Sequence, residues 1–341
     1  MPNGSTGNPV EPLGCKPLYG RTRFFRTGWQ KFSKRHTIEG MKKIKIGYIG
    51  LGKMGMNMVF CLREKGYDVL AYNRKPEPRE IAHKAGVPVA SSVKELVGNL
   101  AKPRTVWLMV SNGGVDEVLR EVVSYLDKGD TIIDGGNSLY KDSIRRSIDL
   151  EKKGINFLDV GVSGGPKGAR YGACIMVGGK KKVYEKYESL FEDLAAIGAF
   201  AYMGTAGAGH FVKMVHNGIE YGMMQAIGEG FAVMKASDFK LDLEKVAALY
   251  NHKSVIESRL VGWLASAYEK QGTDLAGVSG SVAHTGEGEW TVNAAKELNV
   301  PVPVIEKSFQ FRVDSAKNPS YTGQVLSALR NKFGGHSMKK E

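Results

Sequence analysis

The sequence predicts an α/β fold in which a doubly wound, Rossmann-type domain (residues 41–209) precedes an all-helical domain (residues 210–320). Two observations predict this order. Up to about residue 203, apolar runs of strand length alternate with helical patterns, as in parallel α/β sheets. Past Gly222 only helical periodicity continues. Residues 321–341 form a C-terminal tail, whose basic segment 330–336 is expected to be mobile.

Composition limits the class of protein. The length of 341 residues fits two domains. No apolar run approaches the roughly 18 residues of a membrane span, so no membrane partner is expected. Cys15, Cys61 and Cys174 show neither CxxC nor metal-ligand spacing, which favours a protein without a metal in a reducing, cytoplasmic location. The net charge of +13 comes without a nucleic-acid-reading motif, so it favours an anionic phosphorylated substrate and cofactor over nucleic acid.

Residues 1–40 are predicted to be disordered, since they are rich in Gly, Pro, Ser, Thr and Arg and lack an apolar period. Seven Lys/Arg residues against two acidic ones are also typical of an organelle transit segment. The favoured alternative is a non-native leader, with translation starting at Met41.

A dinucleotide site is predicted directly after the first strand. The pattern G-x-G-x-x-G stands there between a strand and a helix, and it comprises Gly50, Leu51, Gly52, Lys53, Met54 and Gly55. The first glycine makes the tight turn, the second lets the backbone approach a pyrophosphate, and the third lets the helix pack closely on the strand. The N–H groups at the start of the helix then face the phosphates.

The end of the second strand predicts which dinucleotide is bound. Strand 68–72 leads into Asn73, Arg74 and Lys75, where NAD-binding proteins usually carry an acidic residue for the ribose hydroxyls. Asn73 is uncharged, and Arg74 can bind a 2′-phosphate through two hydrogen bonds. We therefore expect NADP, with NAD as the alternative if Arg74 is only a surface turn residue.

Later strands also end in polar loops, at the edge of the sheet where ligands bind in such folds. Strand 105–110 leads from Val110 to Ser111. Asn137 follows strand 131–134 and could hydrogen-bond a nicotinamide or a hydroxyl. The loop after strand 157–160 contains Ser163, Gly164 and Gly165, whose exposed N–H groups suit a carboxylate or phosphate. Further strands are expected at 169–179 and 199–203.

A predicted helix from residue 210 carries the candidate catalytic groups. Lys213, His216, Asn217 and Glu220 are spaced so that they share one face. The opposite face, with Phe211, Val212, Met214, Val215 and Ile219, is expected to be buried. An amine of lowered pKa could remove a proton, and a carboxyl of raised pKa could return one. A solvated polar stripe is the alternative interpretation.

The remainder is predicted to be helical at 242–250, 254–270, 290–298 and 301–314. The long apolar helix that begins near residue 210 and continues to about residue 235 is expected to pack against another subunit.

Six motifs give the chain a specific resemblance. They are GLGKMG (50–55), DGGNS (134–138), GVSGGPKGARYG (161–172), HFVKMVHNGIEY (210–221), GEGEWT (286–291) and RNKFGGH (330–336). With them, the chain resembles the decarboxylating 6-phosphogluconate dehydrogenases of the β-hydroxyacid dehydrogenase superfamily. The resemblance implies oxidation of 6-phosphogluconate by NADP to ribulose 5-phosphate and CO2, as in the pentose phosphate pathway.

The resemblance also implies residue roles. Lys213 matches the general base and Glu220 the general acid. The residues that match groups holding the sugar acid are Asn137, Ser163, Gly164, Gly165, His216 and Asn217. Tyr221 and Arg312 match phosphate contacts. Arg330 and His336 match tail residues that reach into a neighbouring subunit's site, which implies a homodimer or homotetramer.

The chain departs from the long form of the family in two ways. It passes from Arg312 directly to Arg330, as the short form does. Thr285 and Glu287 occupy places where the long form has Lys and Thr as phosphate ligands, with Glu289 beside them. Carboxylates near a phosphate dianion are unfavourable unless they point away, so an unphosphorylated sugar acid stays open as substrate.

The sequence leaves three alternative functions to compare with this one. A non-decarboxylating β-hydroxyacid dehydrogenase or reductase would share Ser163 and Lys213 but would not need Glu220 or Arg312. A nucleotide-sensing protein would need neither the acid nor the base. Nucleic-acid binding through the basic leader and tail lacks any supporting motif.

Overall fold

The computed structural model describes residues 43–338. The predicted leader and the Met41 start lie outside these residues. The strands are β1 (Lys45–Ile49), β2 (Asp68–Tyr72), β3 (Thr105–Leu108), β4 (Thr131–Asp134), β5 (Asn156–Ser163), β6 (Ala173–Gly179) and β7 (Ala195–Gly204). The helices of this half are α1 (Lys53–Glu64), α2 (Pro76–Lys84), α3 (Val93–Gly98), α4 (Asn112–Val123), α5 (Tyr140–Glu151), α6 (Gly165–Tyr171) and α7 (Lys181–Leu194).

The strands form one seven-stranded sheet in the order β2-β1-β3-β4-β5-β6-β7. From β2 to β5 all pairings are parallel, β6 is antiparallel to β5, and β7 is parallel to β6. The strand order reverses between the adjacent strands β1 and β3, and crevices for ligands open beyond the carboxyl ends of strands at such a point. The predicted doubly wound fold is confirmed.

Both faces of the sheet are covered by helices, which explains why its central strands are apolar throughout. One face packs Tyr48 and Trp107, with rings nearly parallel, against Phe191 of α7. The other face packs Ile49, Val106 and other apolar side chains against α3 and α4.

The second half is helical, as predicted. Its helices are α8 (Ala208–Ala236), α9 (Leu243–Tyr250), α10 (Arg259–Gln271), α11 (Glu287–Glu297), α12 (Pro303–Ser315) and α13 (Tyr321–Gly334). The 29-residue α8 starts against β5 and β6 and continues into a core shared with α10 and α13. Phe231, Leu264, Tyr268 and Leu326 belong to that core. Among residues 43–338, no helix is both long and apolar enough to cross a membrane.

Four local predictions were wrong. Residues 169–171 belong to α6, because Gly172 (φ 127°) ends that helix before β6 begins. Helix α10 starts at Arg259 rather than near 254, since Ser258 caps it by accepting a hydrogen bond from the N–H of Val261. The apolar face of α8 is only partly buried: Val212 is 36% exposed and Ile219 52% exposed, because no element within residues 43–338 fully covers them.

The fourth wrong prediction was that the C-terminal tail is mobile. Residues 321–334 form α13, which Ser320 caps through the N–H of Gly323. Val325, Leu326 and Leu329 are fully buried on it. The apolar spacing within α13 stabilises it against α8 and α10, so the basic composition of residues 330–336 was a misleading signal.

Candidate active site

The glycine turn after β1 has the geometry that the sequence predicted. Gly50 has φ 109°, and a Cβ there would lie 2.3 Å from the carbonyl oxygen of Met109. At Gly55 a Cβ would lie 1.9 Å from the carbonyl oxygen of Gly50. A Cβ on Gly52, at the start of α1, would meet nothing within 4 Å. The first and third glycines are therefore required by packing, whereas the second leaves open space in which a pyrophosphate fits.

Asn73, at the end of β2, supports this turn instead of lying free. Its Oδ1 accepts a hydrogen bond from the N–H of Leu51 (3.0 Å), and its Nδ2 donates to the carbonyl of Lys75 (3.1 Å). Arg74 is 79% exposed and pairs with Glu117 at 3.4 Å. Exposed ion pairs of this kind contribute little, so Arg74 can readily exchange Glu117 for a phosphate.

Helix α8 is fixed at its start by a buried carboxylate. Asp159 of β5 accepts hydrogen bonds from the N–H groups of Gly207 (2.7 Å) and His210 (2.9 Å). It thereby satisfies N–H groups that the first turn of a helix leaves free, and its charge complements the helix dipole. A Cβ on Gly161 would lie 2.5 Å from Cβ of Lys213, so the glycine of β5 lets the helix approach the sheet there.

The predicted ladder on α8 is present. Lys213 Nζ donates to Oδ1 of Asn217 (2.8 Å), and Nδ1 of His216 lies 3.0 Å from the same oxygen. Nε2 of His216 lies 3.2 Å from Oγ of Ser163, and its Nδ1 lies 3.9 Å from Glu220 Oε2. The four side chains of α8 therefore line one surface, which faces the loop after β5.

Burial shifts the pKa values of the two catalytic candidates, Lys213 and Glu220, in opposite directions. It lowers the pKa of the Lys213 amine, against the smaller opposing effect of the Glu220 charge. It raises the pKa of Glu220, against the opposing effects of Lys213 and Arg312. Burial and the neighbouring Lys213 both lower the pKa of His216. The neutral amine of Lys213 and the protonated carboxyl of Glu220 are therefore both more populated near neutral pH than they would be in water.

The loop after β5 and the C-terminal segment meet at the mouth of the site. Gly164 and Gly165 have φ 126° and 63°, and a Cβ on Gly165 would lie 1.9 Å from the carbonyl of Phe333. Lys53 Nζ, beside the glycine turn, donates to the carbonyl of Gly335 (2.6 Å). The segment after α13 therefore passes between the predicted cofactor and substrate loops of its own chain. A contribution of this segment to a neighbouring subunit stays a prediction.

Three side chains form a cationic end of the site. The guanidinium of Arg312 lies 3.3 Å from the ring centroid of Tyr221. Arg312 is 3% exposed and Arg330 6% exposed, and within the described residues Nε of Arg312 has no hydrogen-bond partner. Burial lowers the pKa of Arg312 to about 10 and also lowers that of Arg330. An arginine side chain keeps its charge in proteins. In the part of the chain that the structure describes, the Nε–H of Arg312 is left without a partner while an NH2 group of the same guanidinium contacts Sδ of Met224 at 3.8 Å, so Nε is a donor suited to an oxyanion.

The two carboxylates before Trp290 are placed differently. Glu289 is exposed to solvent, whereas Glu287 is buried (6% exposed) and faces the site. The Nδ2 of Asn137 donates to Oε1 of Glu287, and Oγ1 of Thr285 donates to Oε2 (2.7 Å). Thr285 is therefore engaged with a carboxylate in the position where the long form has a phosphate ligand.

All the residues predicted for catalysis and substrate binding line one cavity of about 650 Å³. Of the predicted cofactor residues, Lys53, Met54, Val110, Ser111 and Asn137 line it too. The remaining ones, Gly50, Leu51, Gly52, Gly55, Asn73, Arg74 and Lys75, lie outside it along the glycine turn and the end of β2. This arrangement matches a dinucleotide whose nicotinamide end enters the cavity.

Several side chains of this cavity were not predicted from the sequence, among them Arg259 and Trp263 of α10. Arg259 lies over the ring of Trp263 at 4.9 Å, and Trp263 contacts Phe333. No sequence pattern marked them, because the packing of α10 against α13 is what brings them there. Within residues 43–338, no group of His, Cys, Asp and Glu side chains could hold a metal.

Comparison with known proteins agrees with the resemblance. Residues 45–207 match the family model described as the NAD binding domain of 6-phosphogluconate dehydrogenase. Residues 209–323 match the model described as the 6-phosphogluconate dehydrogenase C-terminal domain.

Individual relatives show the same similarity. The chain is 46% identical to YqeC of Bacillus subtilis, a provisionally assigned 6-phosphogluconate dehydrogenase, over 87% of this chain and 100% of that protein. It is 39% identical to the NAD(+)-dependent, decarboxylating 6-phosphogluconate dehydrogenase of Haloferax volcanii, over 87% of this chain and 99% of that one. A solved 6-phosphogluconate dehydrogenase of Plasmodium falciparum, described as apo and in complex with NADP+ and with 6-phosphogluconate, superposes with a TM-score of 0.75 at 35% identity. That match covers 80% of this chain but 62% of the Plasmodium chain.

Proposed function

Because the chain belongs to the 6-phosphogluconate dehydrogenase family, we propose that this oxidoreductase oxidises and decarboxylates 6-phosphogluconate to ribulose 5-phosphate and CO2. The observation that carries the proposal is the pairing of Lys213 and Glu220 on one face of α8. Their pKa values are shifted in opposite directions inside a cavity that reaches Lys53 and Met54 at the start of α1.

Lys213 acts as the base in the oxidation step. In its neutral form it takes the proton of the C3 hydroxyl while the hydride leaves C3. A bound NADP supplies the hydride acceptor. The hydrogen bond to Asn217 and the contact with His216 keep the amine directed along the polar face of α8.

Loss of CO2 follows from the β-keto acid, whose carbonyl accepts the electrons of the breaking C–C bond. The ammonium of Lys213 stabilises the negative charge that develops on this oxygen. Glu220 then donates a proton to C1 of the enediol, and its raised pKa keeps that proton available.

The phosphate is assigned to the cationic end. Arg312, Arg330 and Tyr221 lie together there, and His336 lines the same cavity. Thr285 is excluded from the ligand set because its hydroxyl already donates to Glu287. The exposed position of Glu289 removes one of the two carboxylates that argued against a phosphorylated substrate.

NADP is the proposed cofactor. The support is the exposed Arg74 after β2 and the use of the Asn73 side chain in the turn rather than as a ribose acceptor. The Haloferax relative is described as NAD(+)-dependent, so NAD is the alternative to be measured.

A homodimer or homotetramer is also proposed, in the cytoplasm and within the pentose phosphate pathway. Val212, Ile219, Met223 and Val233 leave an exposed apolar stripe along α8, which is typical of a subunit interface. Light scattering coupled to gel filtration tests it: Val233→Asp is expected to lower the assembled mass, and an unchanged mass would contradict the stripe as interface.

One assay separates the candidate functions. The protein is supplied with gluconate or 6-phosphogluconate, each with NAD or NADP, and reduced cofactor and CO2 are both measured. We expect equal amounts of NADPH and CO2 from 6-phosphogluconate. Reduced cofactor without CO2 would favour a non-decarboxylating β-hydroxyacid dehydrogenase, and turnover of gluconate alone would favour an unphosphorylated sugar acid.

A further inference from the structure

Glu287 is a buried carboxylate that the chemistry above does not use. It opens α11, where the helix dipole favours an acidic residue. Glu289 in the same turn has that benefit while remaining exposed. The dipole therefore does not explain why Glu287 is turned inward, and a buried carboxylate needs polar partners.

Both of its oxygens have such partners. One accepts from the Asn137 amide and the other from the Thr285 hydroxyl. An ionised carboxylate can only accept hydrogen bonds. The amide must consequently turn its NH2 group toward Glu287, which leaves Oδ1 of Asn137 as an acceptor for the cavity.

This contact also joins the two halves of the chain across the cavity. Asn137 follows β4 and pairs through its backbone with Ser111, on the side of the cofactor loops. Glu287 belongs to α11, which packs against α8 and hence against the helix of Lys213. The orientation of one amide is thus tied to both the cofactor side and the substrate side.

We propose that Glu287 is a positioning residue that fixes the Asn137 side chain with Oδ1 directed to a hydroxyl of the sugar acid. The inference rests on the proposed function, since a hydroxylated substrate must lie beside Asn137. It differs from the long form's use of this position, because here the side chain orients a neighbour instead of binding phosphate.

The test exchanges donor and acceptor between the two residues. Asn137→Asp places two carboxylates face to face, and we expect kcat/KM for the sugar acid to fall roughly hundredfold. Glu287→Gln allows the amide of Asn137 to flip, so KM should rise roughly tenfold with kcat little changed. In the double variant the new glutamine amide donates to the new carboxylate, whose second oxygen accepts the substrate hydroxyl. Its kcat/KM should recover at least about tenfold over Asn137→Asp alone.

Glu289→Gln is the matched control, since it removes the same charge from the same helical turn at an exposed position. Glu289→Gln alone should leave KM for the sugar acid unchanged. Combined with Asn137→Asp, it should not restore kcat/KM. Recovery by Glu289→Gln, or no recovery by Glu287→Gln, overturns the proposal. If Asn137→Asp does not fold, as judged by circular dichroism and NADPH binding, the KM values of Glu287→Gln and Glu289→Gln decide alone, and equal values overturn it. Wild-type protein that releases no CO2 contradicts the proposed function instead.

Discussion

Lys213 Nζ and Asn217 Oδ1 are joined by a 2.8 Å hydrogen bond one helical turn apart on α8. The bond holds the amine in a defined direction without an ion pair, so burial can lower its pKa. A carboxylate at position 217 would instead stabilise the ammonium and weaken the base. An amide is therefore well suited to hold a lysine that must lose its proton.

Replacement of the base gives the first prediction. Lys213→Met should lower kcat by about 10²–10⁴-fold, the usual contribution of a positioned proton acceptor. The side-chain volume is largely kept, so the fold should survive. Stopped-flow measurement of NADPH formation gives the rate, with circular dichroism and NADPH affinity as controls. Turnover near the wild-type value would show that another group is the base.

The pH profile gives the second prediction. Lys213 and Glu220 titrate as a coupled pair, so wild-type kcat/KM should be bell-shaped. In Glu220→Gln only the lysine remains. The residual kcat/KM should then rise with pH and reach a plateau without an alkaline decline. The midpoint of this rise should lie at a pH below the ordinary lysine pKa. Burial lowers the pKa of Lys213, and loss of the Glu220 charge lowers that pKa further. A bell shape retained by the variant would contradict the pairing.

Phosphate recognition gives the third prediction. Arg312→Met should raise KM for 6-phosphogluconate roughly tenfold to hundredfold, since a hydrogen bond to a charged group is lost. KM for gluconate, measured in parallel, should change much less. Arg259→Met is the matched control, because Arg259 lines the same cavity but stacks on Trp263. Equal losses for both substrates would place the phosphate elsewhere.

Cofactor choice gives the fourth prediction. Arg74→Ala should reduce the ratio of kcat/KM for NADP over NAD by roughly tenfold to hundredfold. Arg120→Ala, an exposed arginine of α4, removes the same charge away from β2 and should leave the ratio unchanged. A ratio that Arg74→Ala does not alter would mean that the 2′-phosphate is not bound there.

Sequence periodicity alone determined the order of the two halves and the face on which Lys213 and Glu220 lie, because strand and helix spacing are local properties. The glycine turn was also predictable, since the strand, the G-x-G-x-x-G spacing and the following helix are neighbours in the sequence. Tertiary structure decided the rest. The packing of distant helices directs Glu287 inward and brings it into hydrogen-bond contact with Asn137. The same packing places Arg259 and α13 at the cavity. Residue 287 is 150 positions from residue 137, and no local rule of spacing or propensity relates side chains so far apart in the chain.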